Sequence, residues 1–230
     1  GNDCKNNVIR NGGFNQSTIQ GVMPSPGTSM NWTSGYGAPN IYYDPNDPNE
    51  GFFEAGHVKL TGNLSGGQSI VQALDPNNKF LSGKYYKLSV AVKFNSSQNS
   101  IDYGKIRAIA FNGSIANAPG THPVASTNVA VIGRSGKIKD CGVWTIVEFP
   151  VWKANKDFSN IAINVFTNDN QNATVLIDNI SLCESSKEDC VEMQVDNNGN
   201  PVIPSSVGDP PPGFNCQPEA DNDDYFILKL

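Results

Sequence analysis

The sequence predicts an all-β protein, a β-sandwich or jelly roll closed over one core, from three observations. Helical periodicity is almost absent from its 230 residues. Short alternating or β-rich runs recur between turn residues instead. The length suits one large domain, because a single all-β domain can run to about 200 residues or more. About nine or ten strands in one stretch are typical of a sandwich or jelly roll.

The predicted strands follow one another along the chain from Val8 to Leu182. The run "YYKLSVAVKF" shows the pattern best, because Tyr86, Leu88 and Val90 lie on one face, as a half-buried strand requires. Turn-rich stretches such as "PNDPNEG" and "GSIANAPGTHP" predict long loops. The predicted strands are Val8–Arg10, His57–Leu60, Ser69–Ala73, Tyr85–Phe94, Lys105–Phe111, Asn128–Ile132, Trp144–Pro150, Asn160–Thr167 and Ala173–Leu182.

A change of composition after Cys183 predicts a C-terminal extension. We expect a jelly-roll domain over residues 1–184 and a tail over residues 185–230. In the tail, "VEMQVDNNGNPVIP" predicts a small hairpin turning at Asn198-Gly199. The following "SSVGDPPPGFNCQPEADNDD" predicts a proline-stiffened linker. The final "YFILKL" predicts a terminal strand, whose candidate assembly residues are Tyr225, Phe226, Ile227, Leu228 and Leu230.

Composition excludes several classes of partner and favours an extracellular setting. The net charge of -6 and the pI near 4.8 argue against nucleic acid, which requires a basic surface. No apolar run approaches the roughly 20 residues of a membrane span. The sequence opens on Gly1 without a signal peptide, so we expect a mature or trimmed chain. Low charge, many Asn and Gly residues and scattered cysteines predict a secreted or cell-surface protein.

Catalytic motifs are missing from the sequence. It contains no G-x-S-x-G, no H-E-x-x-H and no phosphate-binding loop. Glu50 and Glu54 could in principle serve glycoside chemistry, but acidic loop residues are more often solvated surface. We therefore predict that the protein is not an enzyme.

Four stretches between Asn7 and Cys183 carry a family resemblance. They are "NNVIRNGGFN", "NWTSG", "GVWTIVEFPVWK" and "ATVLIDNISLCE", in that order. Together they resemble carbohydrate-binding modules of the galactose-binding-like jelly-roll type, the broad family that includes cellulose- and xylan-binding modules. The resemblance covers about four-fifths of the chain. It implies a jelly roll whose first and last strands pair antiparallel in one sheet.

That pairing implies a disulfide. With Val8 and Ile9 facing the region Ile177–Ile180, Cys4 comes beside Cys183, and we expect these two cysteines to be bridged. Cys190 and Cys216 bracket the tail hairpin and form the natural second pair. Cys141 is then odd, either buried and inert or paired between chains.

The resemblance also implies a structural calcium near the opening turn. Asp178 matches the aspartate that the family places in its last strand, whereas Asn15 replaces the family's acid at the turn. Calcium tolerates a carbonyl oxygen in place of a carboxylate, with reduced affinity. The alternative is a calcium-free turn in which Asp178 accepts backbone amides, and the sequence leaves both open.

Sugar-binding modules stack pyranose rings on exposed aromatic side chains. The candidates in this chain are Trp32, Tyr36, Tyr42 and Tyr43, which fall in a long polar segment between the first strands. The alternative is that these aromatics belong to a satellite core or to a protein interface.

Two functions of different class fit the sequence. One is a non-catalytic structural protein, a homo-oligomer or polymer that builds a surface fibre or sheath through its C-terminal strand. The other is a carbohydrate-binding module or adhesin whose partner is a polysaccharide. The elaborate tail, the odd cysteine and the unpaired terminal strand favour assembly over sugar.

Overall fold

The computed structural model describes residues 4, 6–15, 21–22, 31–37, 39–42, 51–52, 56–94, 103–118, 127–139, 143–186 and 227–228. Within these ranges the regular structure consists of β-strands and a short 3-10 turn, Ile115–Asn117. The described residues include no helix that is long and apolar enough to cross a membrane. In chain order, the strands are β1 (Gly21–Val22), β2 (Thr33–Tyr36), β3 (Asn40–Tyr42), β4 (His57–Gly62), β5 (Ser69–Ala73), β6 (Tyr85–Phe94), β7 (Tyr103–Phe111), β8 (Val129–Arg134), β9 (Ile138–Lys139), β10 (Thr145–Glu148), β11 (Trp152–Lys153), β12 (Asn160–Phe166), β13 (Ala173–Ser185) and β14 (Ile227–Leu228).

The strands form two antiparallel sheets. The first sheet has the order β1-β3-β4-β13-β6-β10-β14, with β11 also pairing β6. The second has the order β2-β5-β12-β7-β8, with β9 also pairing β7. Alternate residues of each strand face the other sheet, so that Val90 and Val175 of the first sheet and Ile106 and Ile163 of the second join one buried core. The predicted all-β jelly-roll sandwich is confirmed.

Most of the long predicted strands are present, but the opening strand is not. Instead of a strand at Val8–Arg10, the structure has one isolated bridge, Asn7 to Cys183, beside a hydrogen bond from Val8 N to Leu182 O. Val8 was expected to face the region Ile177–Ile180. It lies instead beside Leu182, further along β13. The chain leaves the sheet early because Asn11 and Phe14 take positive φ angles of 49° and 56° and form a turn.

The N-terminal segment is fastened to the end of β13. Cys4 and Cys183 form a disulfide with their Cα atoms 5.4 Å apart, which confirms the predicted pair. Next to it, the backbone N of Glu184 donates to Asn6 O at 3.0 Å. Hydrogen bonds from Lys84 and Asn6 lower the pKa of the Glu184 carboxyl. A disulfide that closes so long a loop typically contributes about 2–4 kcal/mol.

Peptide mapping under non-reducing conditions checks the remaining cysteines. We expect one linked fragment joining Cys4 to Cys183 and another joining Cys190 to Cys216. Cys141, Cys190 and Cys216 lie outside the described residues. A link between Cys4 and Cys216, or between Cys141 and Cys183, would contradict both the disulfide described here and the separation of tail from domain.

The terminal strand pairs with its own chain. β14 adds to the free edge of β10, with Leu228 opposite Val147 and Ile227 opposite Glu148. Tyr225, Phe226 and Leu230, and the predicted hairpin, lie outside the described residues. Of the two destinations open to a terminal strand, an edge of its own domain or a neighbour, the structure has the first.

Candidate functional site

A row of side chains crosses the second sheet on the face that points away from the core. It consists of Tyr36, Ser69, Asn164, Arg107 and Arg134, one from each of β2, β5, β12, β7 and β8, and we call it the polar row. Ser69 lies directly opposite Tyr36 and Asn164, while Arg107 lies directly opposite Asn164 and Arg134. Residues directly opposite in antiparallel strands lie on one face. With strands about 4.8 Å apart, the row extends over roughly 19 Å.

Strand alternation places these residues outward. In β5, β12 and β7 the neighbours Ile70, Ile163 and Ile106 face the core, so the residues next to them face away from it. In β8, a Cβ on Gly133 would collide with the Phe149 ring of the core, so Arg134 points to the opposite face. The core thus fixes the register of the row.

Several polar atoms of the row are buried without being satisfied. The side chains of Ser69 and Asn164 are 0% exposed. The Oγ atom of Ser69 and both the Oδ1 and Nδ2 atoms of Asn164 have no hydrogen-bond partner among the described residues. The buried Nε of Arg134 is in the same condition. Each such group costs about 1–3 kcal/mol, so a row of them requires an explanation.

Cationic and aromatic groups lie beside the row, two residues further along β7 and β12 toward one end of the face. Lys105 and Phe166 are directly opposite each other on β7 and β12. The Arg107 guanidinium carbon lies 4.2 Å from the Phe166 ring centroid, and Lys105 Nζ lies 5.9 Å from it. These contacts hold the guanidinium plane over the ring and define its position in the row.

The opposite end of the face is apolar. Val71, Ile109, Phe111 and Ala162 form a second buried cluster there. The 3-10 turn contributes Ile115, which packs against this cluster with Ala118 and Val129. The face is therefore divided into an apolar half and a polar half that contains the row, and in the polar half Ser69, Asn164, Arg107 and Lys105 are themselves buried.

Tyr36 stands at the open edge of the row. It is 62% exposed, the largest exposure among the large hydrophobic side chains that the structure describes. A bulge between Ser34 and Tyr36 brings it opposite Ser69. The bulged residue is Gly35, and a Cβ there would collide with Val71 and press on Ser69 Oγ. Glycine at this position therefore permits β2 to approach the row and to present the Tyr36 ring.

The structure does not gather the sequence-predicted aromatics into one platform. Trp32 lies in the core, 1% exposed, with its ring 5.6 Å from Phe14 and its Nε1 donating to Asn11 O at 2.9 Å. The expectation that Trp32 stacks a sugar is wrong in this structure, because no face of the ring is open. The β2 register puts Trp32 inward, whereas the long polar segment around it suggested an exposed loop.

Tyr42 lies on the other sheet. Its ring stacks on His57 with centroids 5.4 Å apart, and Lys59 Nζ lies 5.0 Å from the centroid. His57 in turn makes an edge contact with Trp144, so the tyrosine is part of an aromatic group on the first sheet. Tyr43 lies outside the described residues. Of the four candidates, only Tyr36 joins the polar row within the described part of the chain.

The two residues of the calcium expectation lie near the opening turn. Asp178 is 2% exposed, and its Oδ2 accepts from Phe52 N at 2.9 Å while its Oδ1 accepts from Asn179 N at 2.6 Å. Asn15 Oδ1 accepts from Gly56 N at 3.1 Å. Among the described residues, no group of three or more His, Cys, Asp or Glu side chains could hold a metal. These contacts fit the calcium-free alternative. Bound calcium stays a prediction, which a comparison of the melting temperature in calcium with that in EDTA would test.

Most of the polar row could not be predicted from the sequence. Ser69, Asn164 and Arg107 occupy alternate, non-core positions of predicted strands, which is the pattern of an ordinary solvent-facing side. What makes them a site is their alignment across strands far apart in sequence. The only signal in the chain itself is the pair Lys105 and Arg107 within an otherwise apolar strand.

Comparisons with known proteins agree with the fold. No protein-family model matches the sequence, and no curated protein matches it. The arabinose-bound α-L-arabinofuranosidase MgGH51 aligns with a TM-score of 0.51 and 14% identity over 80% of this chain and 27% of its own. This chain thus spans about a quarter of that enzyme's length.

Carbohydrate-binding modules also align with the chain. The C-terminal family 22 module of Clostridium thermocellum Xyn10B does so with a TM-score of 0.46 and 14% identity, over 77% of this chain and 98% of its own. A family 4 module gives a TM-score of 0.42 and 13% identity, over 67% of this chain and 95% of its own. Identities this low are informative about fold alone. The chain is a β-jelly-roll sandwich, and the resemblance that its motifs indicated is confirmed at the level of the fold.

Proposed function

We propose that the protein is a non-catalytic, extracellular glycan-binding module that holds a polysaccharide along the polar row. The observation that carries the proposal is the row itself, in which Ser69 and Asn164 are buried with unsatisfied polar atoms and Tyr36 offers an exposed ring. Sugar hydroxyls both donate and accept hydrogen bonds, so they can satisfy an amide, a hydroxyl and a guanidinium together. Because both side chains are 0% exposed in the free protein, a glycan reaches them only when the side chains that cover them move, and their polar atoms then gain hydrogen bonds to the ligand.

The shape of the site suits a chain rather than a single sugar. The row extends over roughly 19 Å, given about 4.8 Å between strands, which is long enough for several linked sugar rings. It ends at Tyr36, whose ring can cover the apolar face of a pyranose. The disulfide between Cys4 and Cys183 supports an oxidising, extracellular setting.

The fibre hypothesis gains no support from these observations. Its main argument was a terminal strand without a partner, and β14 has a partner in β10 of its own chain. β10 belongs to the first sheet, whereas the polar row belongs to the second. Glycan binding therefore does not depend on the tail in this account.

The proposed function is tested by a glycan array with two matched tyrosine variants. We expect the wild-type protein to bind at least one polysaccharide, and Tyr36→Ala to weaken that binding by about 1–3 kcal/mol, by analogy with bases stacked on aromatic rings. The stability of Tyr36→Ala should change by less than about 0.5 kcal/mol, because the ring is exposed. Tyr42→Ala, on the other sheet, should keep wild-type affinity.

Two outcomes would contradict the proposal. An array that gives no ligand across plant, algal and bacterial polysaccharides would remove glycan binding altogether. A loss of affinity in Tyr42→Ala but not in Tyr36→Ala would move the site to the first sheet.

Removal of Tyr225–Leu230 distinguishes the glycan-binding proposal from the fibre hypothesis. Because β14 contributes only a short pairing at an edge of the first sheet, we expect the truncated protein to stay folded, monomeric and fully able to bind glycan. Light scattering after size-exclusion chromatography gives the mass of both proteins. A full-length protein that polymerises, and a truncated one that does not, would restore the fibre hypothesis.

A further inference from the structure

Several asparagines of the chain stand in the triplet Asn-x-Ser/Thr, in which x is not proline. This triplet is the acceptor for N-linked glycans, which are bulky groups at the surface of secreted proteins. In a chain this rich in asparagine some triplets arise by chance, so the position of each one in the fold decides whether it is a site. The triplets begin at Asn15, Asn31, Asn63, Asn95, Asn112, Asn172 and Asn179.

Asn172 presents its amide at the surface. It is exposed and lies in the turn that leads into β13. Its Oδ1 accepts from Asn63 Nδ2 at 2.9 Å, whereas its own Nδ2 has no hydrogen-bond partner among the described residues. An N-linked glycan is attached to Nδ2 and leaves the amide oxygen in place. The fold therefore keeps its contact when this residue is modified.

Asn179 is exposed although it lies within β13. The register of β13 shifts between Asp178 and Ser181, and a bulge of this kind leaves its extra residue outside the ladder. Asn179 has a φ angle of 47°, which asparagine tolerates better than most residues. Its neighbours Asp178 and Ile180 are buried, but its side-chain amide has no hydrogen-bond partner within the part of the chain that the structure describes. This amide also is dispensable for the fold.

Other triplets have amides that the fold uses. Asn112 Oδ1 accepts from Ser159 N at 3.0 Å, and its Nδ2 donates to Asp157 O at 2.9 Å. Asn63 is half-buried, and its Nδ2 donates to Asn172. Glycans are added before the strands have folded, so the fold acts as a filter. A chain with a glycan on Asn112 loses a contact between distant segments and folds less well, because the sugar crowds the Asp157 carbonyl.

We propose that Asn172 and Asn179 carry N-linked glycans. In the transfer, Nδ2 forms a bond to the anomeric carbon of an oligosaccharide that is carried on a lipid pyrophosphate. The bond from that carbon to the phosphate oxygen breaks, the lipid pyrophosphate leaves, and the amide gives one proton to a base of the transferase. The disulfide between Cys4 and Cys183 supports passage through an oxidising secretory compartment, where this transfer takes place.

The two positions are separate from the proposed polysaccharide site. Both belong to β13 of the first sheet or to the turn before it, whereas the polar row belongs to the second sheet. The inference therefore goes beyond the proposed function and does not depend on it.

Secretion of the full chain from yeast or human cells tests the inference. Digestion with a peptide N-glycosidase in heavy-oxygen water converts each glycosylated asparagine to an isotopically labelled aspartate, which peptide mapping locates. We expect the label at Asn172 and Asn179 in most of the secreted molecules and none at Asn112. The same chain from a bacterial host without N-linked glycosylation gives the unlabelled reference.

Matched variants assign each glycan. Asn172→Gln should remove one glycan from the intact mass, and Ser181→Ala, which keeps Asn179 but breaks its triplet, should remove another. Asn170→Gln should change nothing, because this exposed asparagine lies two positions from Asn172 and begins no triplet. Melting temperatures confirm that each secreted variant is folded.

Two results would overturn the inference. Absence of the label at Asn172 or at Asn179 in secreted, folded protein would reject that residue as a site. A label at Asn112 as frequent as the one at Asn172 would reject the argument that the fold selects among the triplets. Neither result affects the proposed binding of polysaccharide, which the glycan array tests separately.

Discussion

Replacement of Asn164 by leucine is expected to abolish most glycan binding and, at the same time, to stabilise the fold. The two side chains share one heavy-atom skeleton, so leucine removes two buried polar atoms without leaving a cavity. Both atoms lack a hydrogen-bond partner among the described residues, and each costs about 1–3 kcal/mol in the free protein. Affinity should fall by at least about tenfold, because hydrogen bonds to the ligand are lost.

Asn160 provides the matched control. It lies on the same face of β12 and is also buried, but its Nδ2 donates to Gly113 O at 3.0 Å. Asn160→Leu should therefore lower the free energy of unfolding by about 1 kcal/mol and leave glycan affinity unchanged. Urea denaturation and calorimetric titration of both variants give the two quantities. An Asn164→Leu protein that is less stable and binds normally would show that the amide serves structure rather than ligand.

Replacement of Trp32 by alanine is expected to destabilise the protein by about 3–5 kcal/mol, the usual cost of removing a large buried aromatic side chain. The ring is 1% exposed and packs against Phe14. Its loss also leaves Asn11 O without the Nε1 donor, at the turn that ends the N-terminal segment. The effect should appear as a lower midpoint of chemical denaturation.

This outcome differs from that of a stacking tryptophan. A sugar platform at Trp32 would lose affinity on substitution with no change in stability. We expect the reverse pattern, in which stability falls and the fraction that remains folded binds glycan with near wild-type affinity. Normal stability of Trp32→Ala together with lost binding would place the ring in the site and contradict the core position described here.

The strand pattern could be predicted from the sequence because it depends on local alternation. In β6, residues such as Leu88, Val90 and Val92 are buried at every second position, as the sequence shows directly. The disulfide between Cys4 and Cys183 was also within reach, since it requires only that the first and last segments meet. The loss of the opening strand could not be predicted, because a hydrophobic pattern does not reveal the positive φ angles of Asn11 and Phe14.

The site could not be predicted because it depends on register between distant strands. Ser69 and Asn164 are separated by almost a hundred positions, and only pairing of β5 with β12 makes them neighbours. The prediction that Trp32 stacks a sugar failed for a related reason. Its inward direction is set by the pairing of β2 with β5, whereas composition alone described its surroundings as a polar loop.

The most direct test of the account is a heteronuclear NMR titration of the isotopically labelled protein with the best oligosaccharide from the array. The account predicts that the side-chain amide of Asn164 and the backbone amides of β5, β12 and β7 shift on binding, together with those around Tyr36. Resonances around Tyr42 and along β10 should stay in place. Shifts confined to the first sheet, with Asn164 unperturbed, would contradict the assignment of the polar row as the glycan-binding site.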